Sequence, residues 1–262
     1  MYNKKMYTAG ETIEIEKVFS THPGKKRSKH TKPTPEGMKK YNERLAEDNF
    51  RRIINANFEH NDLHIVLTYR KNKRPPPGEA GEQLEKVIRT ARMKYKKIGL
   101  DLKCVAVTGY TEDKDGMPED EKHDEVAVHH HLIANYADIR IWTEIWKDFG
   151  RVWFFPLDNR GDYSQLANYI IRHSHDLFRS EDAPGRKRYR YTKNLIKPKP
   201  KEEAVQADSW TKDPKPLKGY FIDRDSIRYG VSEKTGYPYQ FYRMIRIIPV
   251  GSKVKKDAKT EH

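Results

Sequence analysis

The sequence predicts an α+β fold: a ferredoxin-like βαββαβ sandwich, in which an antiparallel sheet carries its helices on one face and leaves the other open. Three observations carry that expectation. Four short apolar or alternating runs bounded by turn residues read as strands. Stretches with apolar residues at 3-and-4 spacing read as helices. The two kinds follow one another in the order β-α-β-β-α-β.

Residues 1–34 are assigned to a basic flexible arm, because "STHPGKKRSKHTKPT" at 20–34 is polar, basic and without periodicity. After Pro35, residues Met38, Tyr41, Leu45, Ile53 and Ile54 fall roughly on one helical face. "LHIVLTY" at 63–69 is the first strand of the sandwich, with His64, Val66 and Thr68 on the face opposite Leu63, Ile65 and Leu67. Beyond the Pro- and Gly-rich "KNKRPPPGEAG", a helix keeps Leu84, Val87, Ile88, Ala91, Tyr95 and Ile98 in register. "LKCVAVTGY" is the second strand, and the acidic turn "TEDKDGMPEDEKHD" leads into the third, "EVAVHHHLIANY". Trp142, Ile145, Trp146 and Phe149 mark a helix closed by Gly150, both tryptophans reading as core, and "RVWFFPL" is the fourth strand. The core is thus expected over 35–200, with an extension at 201–250 packed on or beside it and a basic tail at 251–262.

A net charge of +14, with 16 Tyr and 4 Trp among the basic residues, points to a polyanionic partner. No apolar run approaches the roughly 20 residues that span a bilayer, and "MYNKKMYTAGE" lacks the apolar core of a signal peptide. No membrane role and a cytoplasmic location are therefore expected. Cys104 is alone, which excludes an intramolecular disulfide and a cysteine-rich zinc finger. No G-x-x-x-x-G-K-[ST] stretch is present to drive a nucleotide-powered motor.

The histidine run raises the chemical question. Side chains alternate along a strand, so His129 and His131 share a face, about 7 Å apart, while His130 points away and is expected to fill core space. His129 and His131 can converge on one divalent ion. In the sandwich the first and third strands are central neighbours, which brings His64 to the same face. In "GDYSQLANYIIRHSHDLF" a helix with the inward stripe Leu166, Ile170 and Leu177 places Tyr169 and Arg172 to one side, roughly 60° apart. A phenol titrates near pH 10, at about three units above neutrality, so it attacks a phosphodiester only with help. A divalent ion polarises the phosphate, and a cation such as Arg172 stabilises the charge that develops. Tyr163, roughly 120° around the helix from Tyr169, is the less favoured nucleophile. His173 and His175 read as structural or solvent-facing.

"INANFEHNDLHIVLTY", "VHHHLIAN", "QLANYIIRHS" and "RYRYTKNLIKP", in that order, resemble successive motifs of the rolling-circle replication initiators of bacterial plasmids and phages, in the HUH endonuclease superfamily. The resemblance runs from about residue 40 to "GYFIDRDSIRYGVSEKTGYPYQFYRMIRI", ending at 247. It implies an endonuclease core that holds Mg or Mn through His129 and His131. It makes Tyr169 the nucleophile that nicks one strand and keeps its 5' phosphate. Its substrate would be single-stranded or hairpin origin DNA, and its partners a host helicase and polymerase.

The chain departs from that family at two places. Relatives often carry a carboxylate near the end of the second strand, where Gly109 stands here, so the third ligand is open among His64, Glu112 and Asp113. Relatives commonly place a lysine three residues after the tyrosine. Arg172 keeps that charge but is too basic to exchange a proton, which limits it to an electrostatic role.

"KKRSK" and "GRKRYRYTKNLIKPKPK" interleave cations with Tyr as a single-strand groove does, which nominates Lys25, Lys26, Arg27, Arg186, Lys187, Arg188 and Arg190 for DNA contact. Three other readings stay open. One is a non-catalytic RNA- or single-strand-binding module of the same strand order, which needs stacking aromatics on its central strands. Another is a metal-dependent nuclease that activates water. The last is a degenerate initiator that binds DNA without nicking it.

Overall fold

The computed structural model describes residues 1–19, 36–111, 127–172, 188–232 and 236–247. Its described residues form an α+β structure of two five-stranded antiparallel sheets and four helices. In chain order these are β1 (Tyr2–Ala9), β2 (Thr12–Phe19), α1 (Glu36–Asn57), β3 (Leu63–Tyr69), α2 (Pro77–Lys97), β4 (Cys104–Thr111) and β5 (Ala127–Ala134). They continue with α3 (Arg140–Trp146), β6 (Gly150–Pro156), α4 (Ser164–Arg172), β7 (Arg190–Tyr191), β8 (Lys201–Val205), β9 (Tyr220–Val231) and β10 (Pro238–Arg246).

The central sheet runs β6-β3-β5-β4-β7. Its third and first predicted strands are neighbours, with Val66 opposite His131 and Thr68 opposite His129. Pleating divides these strands cleanly. Leu63, Ile65, Leu67, Leu132 and Ala106 face α2 and α3, where Trp142 and Trp146 are completely buried. The expected open face is not open along its whole width. Val105, Val107 and Ile133 on that face pack against Phe50, Ile53 and Ile54 of α1 and against Ile170 and Ile171 of α4. Helices therefore cover both faces, and the uncovered part narrows to the β6–β3 side.

Gly150 also differs from its expected role as a helix terminator. It opens β6 opposite Tyr69, and a Cβ there would meet the Thr68 carbonyl oxygen at 1.7 Å, so the close approach of the two backbones requires glycine.

Residues 1–19 are not a flexible arm. They form the β1–β2 hairpin, which joins the extension strands in a second sheet of order β8-β1-β2-β10-β9. Alternation in "TIEIEKVF" explains the strand: Ile13 and Ile15 meet Tyr242 and Met244 in a small core, while Glu14 points the other way. Glu14 is only 1% exposed because α1 lies beneath it. Arg51 Nε donates to Glu14 Oε1 at 2.7 Å and Arg52 Nε to Glu14 Oε2 at 2.6 Å. Gly10, at φ 57, makes the hairpin turn directly on the α1 backbone, where a Cβ would lie 2.1 Å from the Asn55 carbonyl oxygen. The layers are thus α2 and α3, the central sheet, α1 and α4, then the second sheet.

Candidate functional site: three imidazoles under a tyrosine

Two facts of local chain geometry build the site. Strand alternation puts His64 of β3 and His129 and His131 of β5 on the α1/α4 side of the central sheet, each at most 8% exposed. Helix α4 is anchored by its buried stripe of Ala167, Ile170 and Ile171, which leaves Tyr169 at the rim of that stripe, 51% exposed. Its start is fixed to α1: Asn55 Oδ1 accepts the Tyr163 backbone N–H at 3.0 Å, and Asp162 Oδ1 accepts that of Ser164 at 3.2 Å.

The four rings meet. Tyr169 lies edge-on to His131, ring centroids 5.4 Å apart at 78°. His131 is also edge-on to His129 at 4.8 Å and stacked on His64 at 5.3 Å. His64 Nε2 and His131 Nδ1 share a hydrogen bond of 3.1 Å. Burial lowers the His64 imidazole to about 4, so at neutral pH it is the uncharged ligand form.

His130 turns to the opposite side, wholly buried. The Tyr69 hydroxyl lies 2.9 Å from its Nε2 and the Thr108 hydroxyl 3.0 Å from its Nδ1. Burial first, then the charges of His129 and Arg190, push it down to about 3, as befits a neutral core imidazole. Tyr163 is buried, and its hydroxyl donates to the Asp158 carbonyl at 3.1 Å. Burial, helped by Asp158, raises its pKa, so this phenol is withdrawn from any attack.

Among the described residues no group of three or more His, Cys, Asp or Glu side chains is arranged around a point as a metal ion requires. The donor chemistry nevertheless suits a divalent cation. His64 and His131, joined by their hydrogen bond, and the neighbouring His129 offer imidazole nitrogens of the kind that ligate divalent transition metals. Gly109 lies opposite His129 on β4 and brings no carboxylate.

Arg172 ends α4, exposed, and lines a cleft of about 960 Å³ with Gln165 and Asn168 of the same helix and Phe221, Asp223 and Arg243 of the second sheet. Arg188 is half-buried beside Glu43 at 3.8 Å, and Arg190 Nε donates to Glu85 at 2.9 Å, so both nominated cations already face carboxylates. Lys25, Lys26, Arg27, Glu112, Asp113, His173, His175, Arg186 and Lys187 lie outside the described residues.

Two exposed aromatics on β6 belong to the site's surroundings and were not singled out from the sequence: Trp153 is 52% exposed and Phe155 50%. In "RVWFFPL" they alternate with Val152 and Phe154, which are apolar too, so the run does not show which side stays bare.

Comparison of the chain with protein-family models, curated proteins and solved structures finds no match. No helix among the described residues is long and apolar enough to cross a membrane.

Proposed function

We propose that this protein is a metal-dependent, strand-specific DNA endonuclease of the HUH rolling-circle initiator type, acting through Tyr169. The observation that carries the reading is the half-exposed Tyr169 ring over the buried His64, His129 and His131 cluster. The strand order β6-β3-β5-β4 supports it, since it sets β3 beside β5 as the expected sandwich requires of its first and third strands.

His129 and His131, with His64 as third ligand, would hold Mg or Mn, which supplies Lewis-acid polarisation of the scissile phosphate. Tyr169 Oη attacks the phosphorus, the bond to the 3' oxygen breaks, and the phenolic proton is matched by the one gained on the released 3'-hydroxyl. The 5' phosphate stays on the tyrosine, so a later 3'-hydroxyl reverses the step and rejoins a strand. Arg172, on the same helix, contributes positive charge toward the phosphate without exchanging a proton. The freed 3'-hydroxyl would prime a host polymerase, and unwinding would come from a separate helicase.

The test mixes the full chain with Mn and 3'-labelled single-stranded oligonucleotides tiling its own coding DNA and flanks. A labelled protein adduct that survives denaturation, and that Tyr169→Phe removes, is expected. Released fragments without an adduct would mean activated water instead. Binding without cleavage would favour the non-catalytic single-strand module, a second reading to which the exposed Trp153 and Phe155 lend weight.

A further inference from the structure

Among the described residues β6 forms one edge of the central sheet, pairing with β3 alone. Its side chains alternate: Arg151, Trp153 and Phe155 are exposed, while Val152 and Phe154 pack toward the core. The register sets Arg151 opposite Thr68, Trp153 opposite Val66 and Phe155 opposite His64. All three therefore stand on the histidine side of the sheet, and the Phe155 ring is 5.5 Å from that of His64. Two other tryptophans of this chain, Trp142 and Trp146, are completely buried, whereas Trp153 leaves half its surface to solvent. Large aromatic faces left bare in a row beside a reactive cluster call for an occupant.

We propose that Trp153 and Phe155 are a base-stacking platform for the single-stranded DNA segment next to the scissile phosphate. The inference rests on the reading of Tyr169 as the nicking residue. Three features choose the occupant. The chain carries a net charge of +14, which draws a polyanion. Arg151 continues the row and offers that polyanion a cation at the platform's end. The platform is also continuous with the cluster: rings on β6 lead to His64 on β3, to His131 on β5, then to Tyr169. Neighbouring strands lie about 4.8 Å apart, so the platform is about 10 Å from the β5 imidazoles. Alternate residues along β6 set the two rings about 7 Å apart, so each presents its own π-face to one base. A duplex hides those base faces inside its own stack, so only unpaired nucleotides can use them.

The experiment measures fluorescence anisotropy of labelled (dT)15, (rU)15 and a blunt-ended DNA hairpin on the full chain carrying Tyr169→Phe. Each base stacked on an aromatic contributes about 1–3 kcal/mol, or roughly 5- to 150-fold in affinity. Trp153→Leu, which keeps apolar bulk without a π-face, is expected to weaken (dT)15 binding at least 5-fold, and Trp153→Phe to restore most of it. Hairpin affinity should change less than 2-fold, and Phe155→Leu should behave like Trp153→Leu. Undiminished (dT)15 binding by both leucine variants overturns the proposal, as does an equal loss on the hairpin. Tighter binding of (rU)15 with the same Trp153 dependence would reassign the occupant to RNA. Trp153-dependent dimerisation in sedimentation, with no effect on (dT)15, would reassign β6 to a contact between two copies. The adduct assay is independent of all these arms. An adduct with no Trp153 dependence of binding removes the platform alone, and Trp153-dependent binding with no adduct removes the nicking reading and leaves a single-strand platform with no scissile phosphate beside it.

Discussion

Alternation along β5 gives three consecutive histidines two different occupations. His129 and His131 border Tyr169, while His130 holds the Tyr69 and Thr108 hydroxyls inside the α2/α3 core. Truncating His130 leaves a cavity and two buried hydroxyls without their acceptor or donor. His130→Ala is accordingly expected to cost about 3–5 kcal/mol, read as a lower urea midpoint. His131→Ala should shift that midpoint less, yet lower Mn-dependent adduct formation by at least about 100-fold, because it removes a proposed ligand whereas His130 faces the other side of the sheet. Equal effects of the two substitutions on both measurements would show that the period-two division has no functional meaning. At this scale the sequence was informative because the extended backbone of a strand fixes the alternation of its side chains. It was uninformative about Trp153 and Phe155, since an apolar residue in an edge strand carries no mark of which side stays bare.

Helix α1 shows why element boundaries were easier to read than element surroundings. Its apolar residues at 53 and 54 gave it one inward stripe, but its last three turns are enclosed on two sides, by the central sheet and by the hairpin turn at Gly10. Arg51 and Arg52 are buried there with Glu14 and Asp48. Two adjacent arginines ordinarily mark a solvated face, and nothing local in "DNFRRIINAN" says that a glutamate 37 residues upstream will meet them. Glu14→Gln would leave Arg52 buried without the carboxylate it donates to and Arg51 with Asp48 alone, and a destabilisation of about 3–5 kcal/mol is expected in urea unfolding. The same cluster predicts an acid response. Burial pushes the Asp48 carboxyl up, but the guanidiniums of Arg51, Arg228 and Arg52 together outweigh this and hold it below the usual carboxylate range. A carboxyl lowered by folding stabilises fully above its unfolded pKa of about 3.9, and that contribution fades as pH falls through the folded value. Asp48→Asn should therefore lower stability at neutral pH and flatten its decline below about pH 4. A decline as steep as that of the unmodified chain would assign the acid response to other groups.

At the scale of the whole molecule, order along the chain and order in space part company. The β-α-β-β-α-β succession was visible because each of its strands is followed by the helix or turn that returns the chain to the same sheet. The second sheet was not, because β2 pairs with β10 and β1 with β8, across about two hundred residues. Residues 1–34 and 201–250 therefore read as a flexible arm and as an extension packed on or beside a core at 35–200. Their described strands join in one sheet, which caps the α1/α4 layer that supports Tyr169. Excising 35–200 would remove Glu14 from Arg51 and Arg52, Thr12 from Asn55, and Arg228 from Asp48. Three buried charges would lose partners at once, and Asn55 is the residue that fixes the start of α4. At about 3–5 kcal/mol for each broken buried pair, the loss is comparable to the 5–15 kcal/mol that stabilises an ordinary domain. The fragment is therefore expected to show no cooperative thermal transition by circular dichroism, whereas the intact chain should show one. Since α4 carries the phenol, the same fragment is expected to form no adduct with any oligonucleotide on which the full chain forms the proposed one. A fragment that melts cooperatively at the temperature of the full chain would show instead that the second sheet is an accessory, and that the buried Arg51 and Arg52 find other partners.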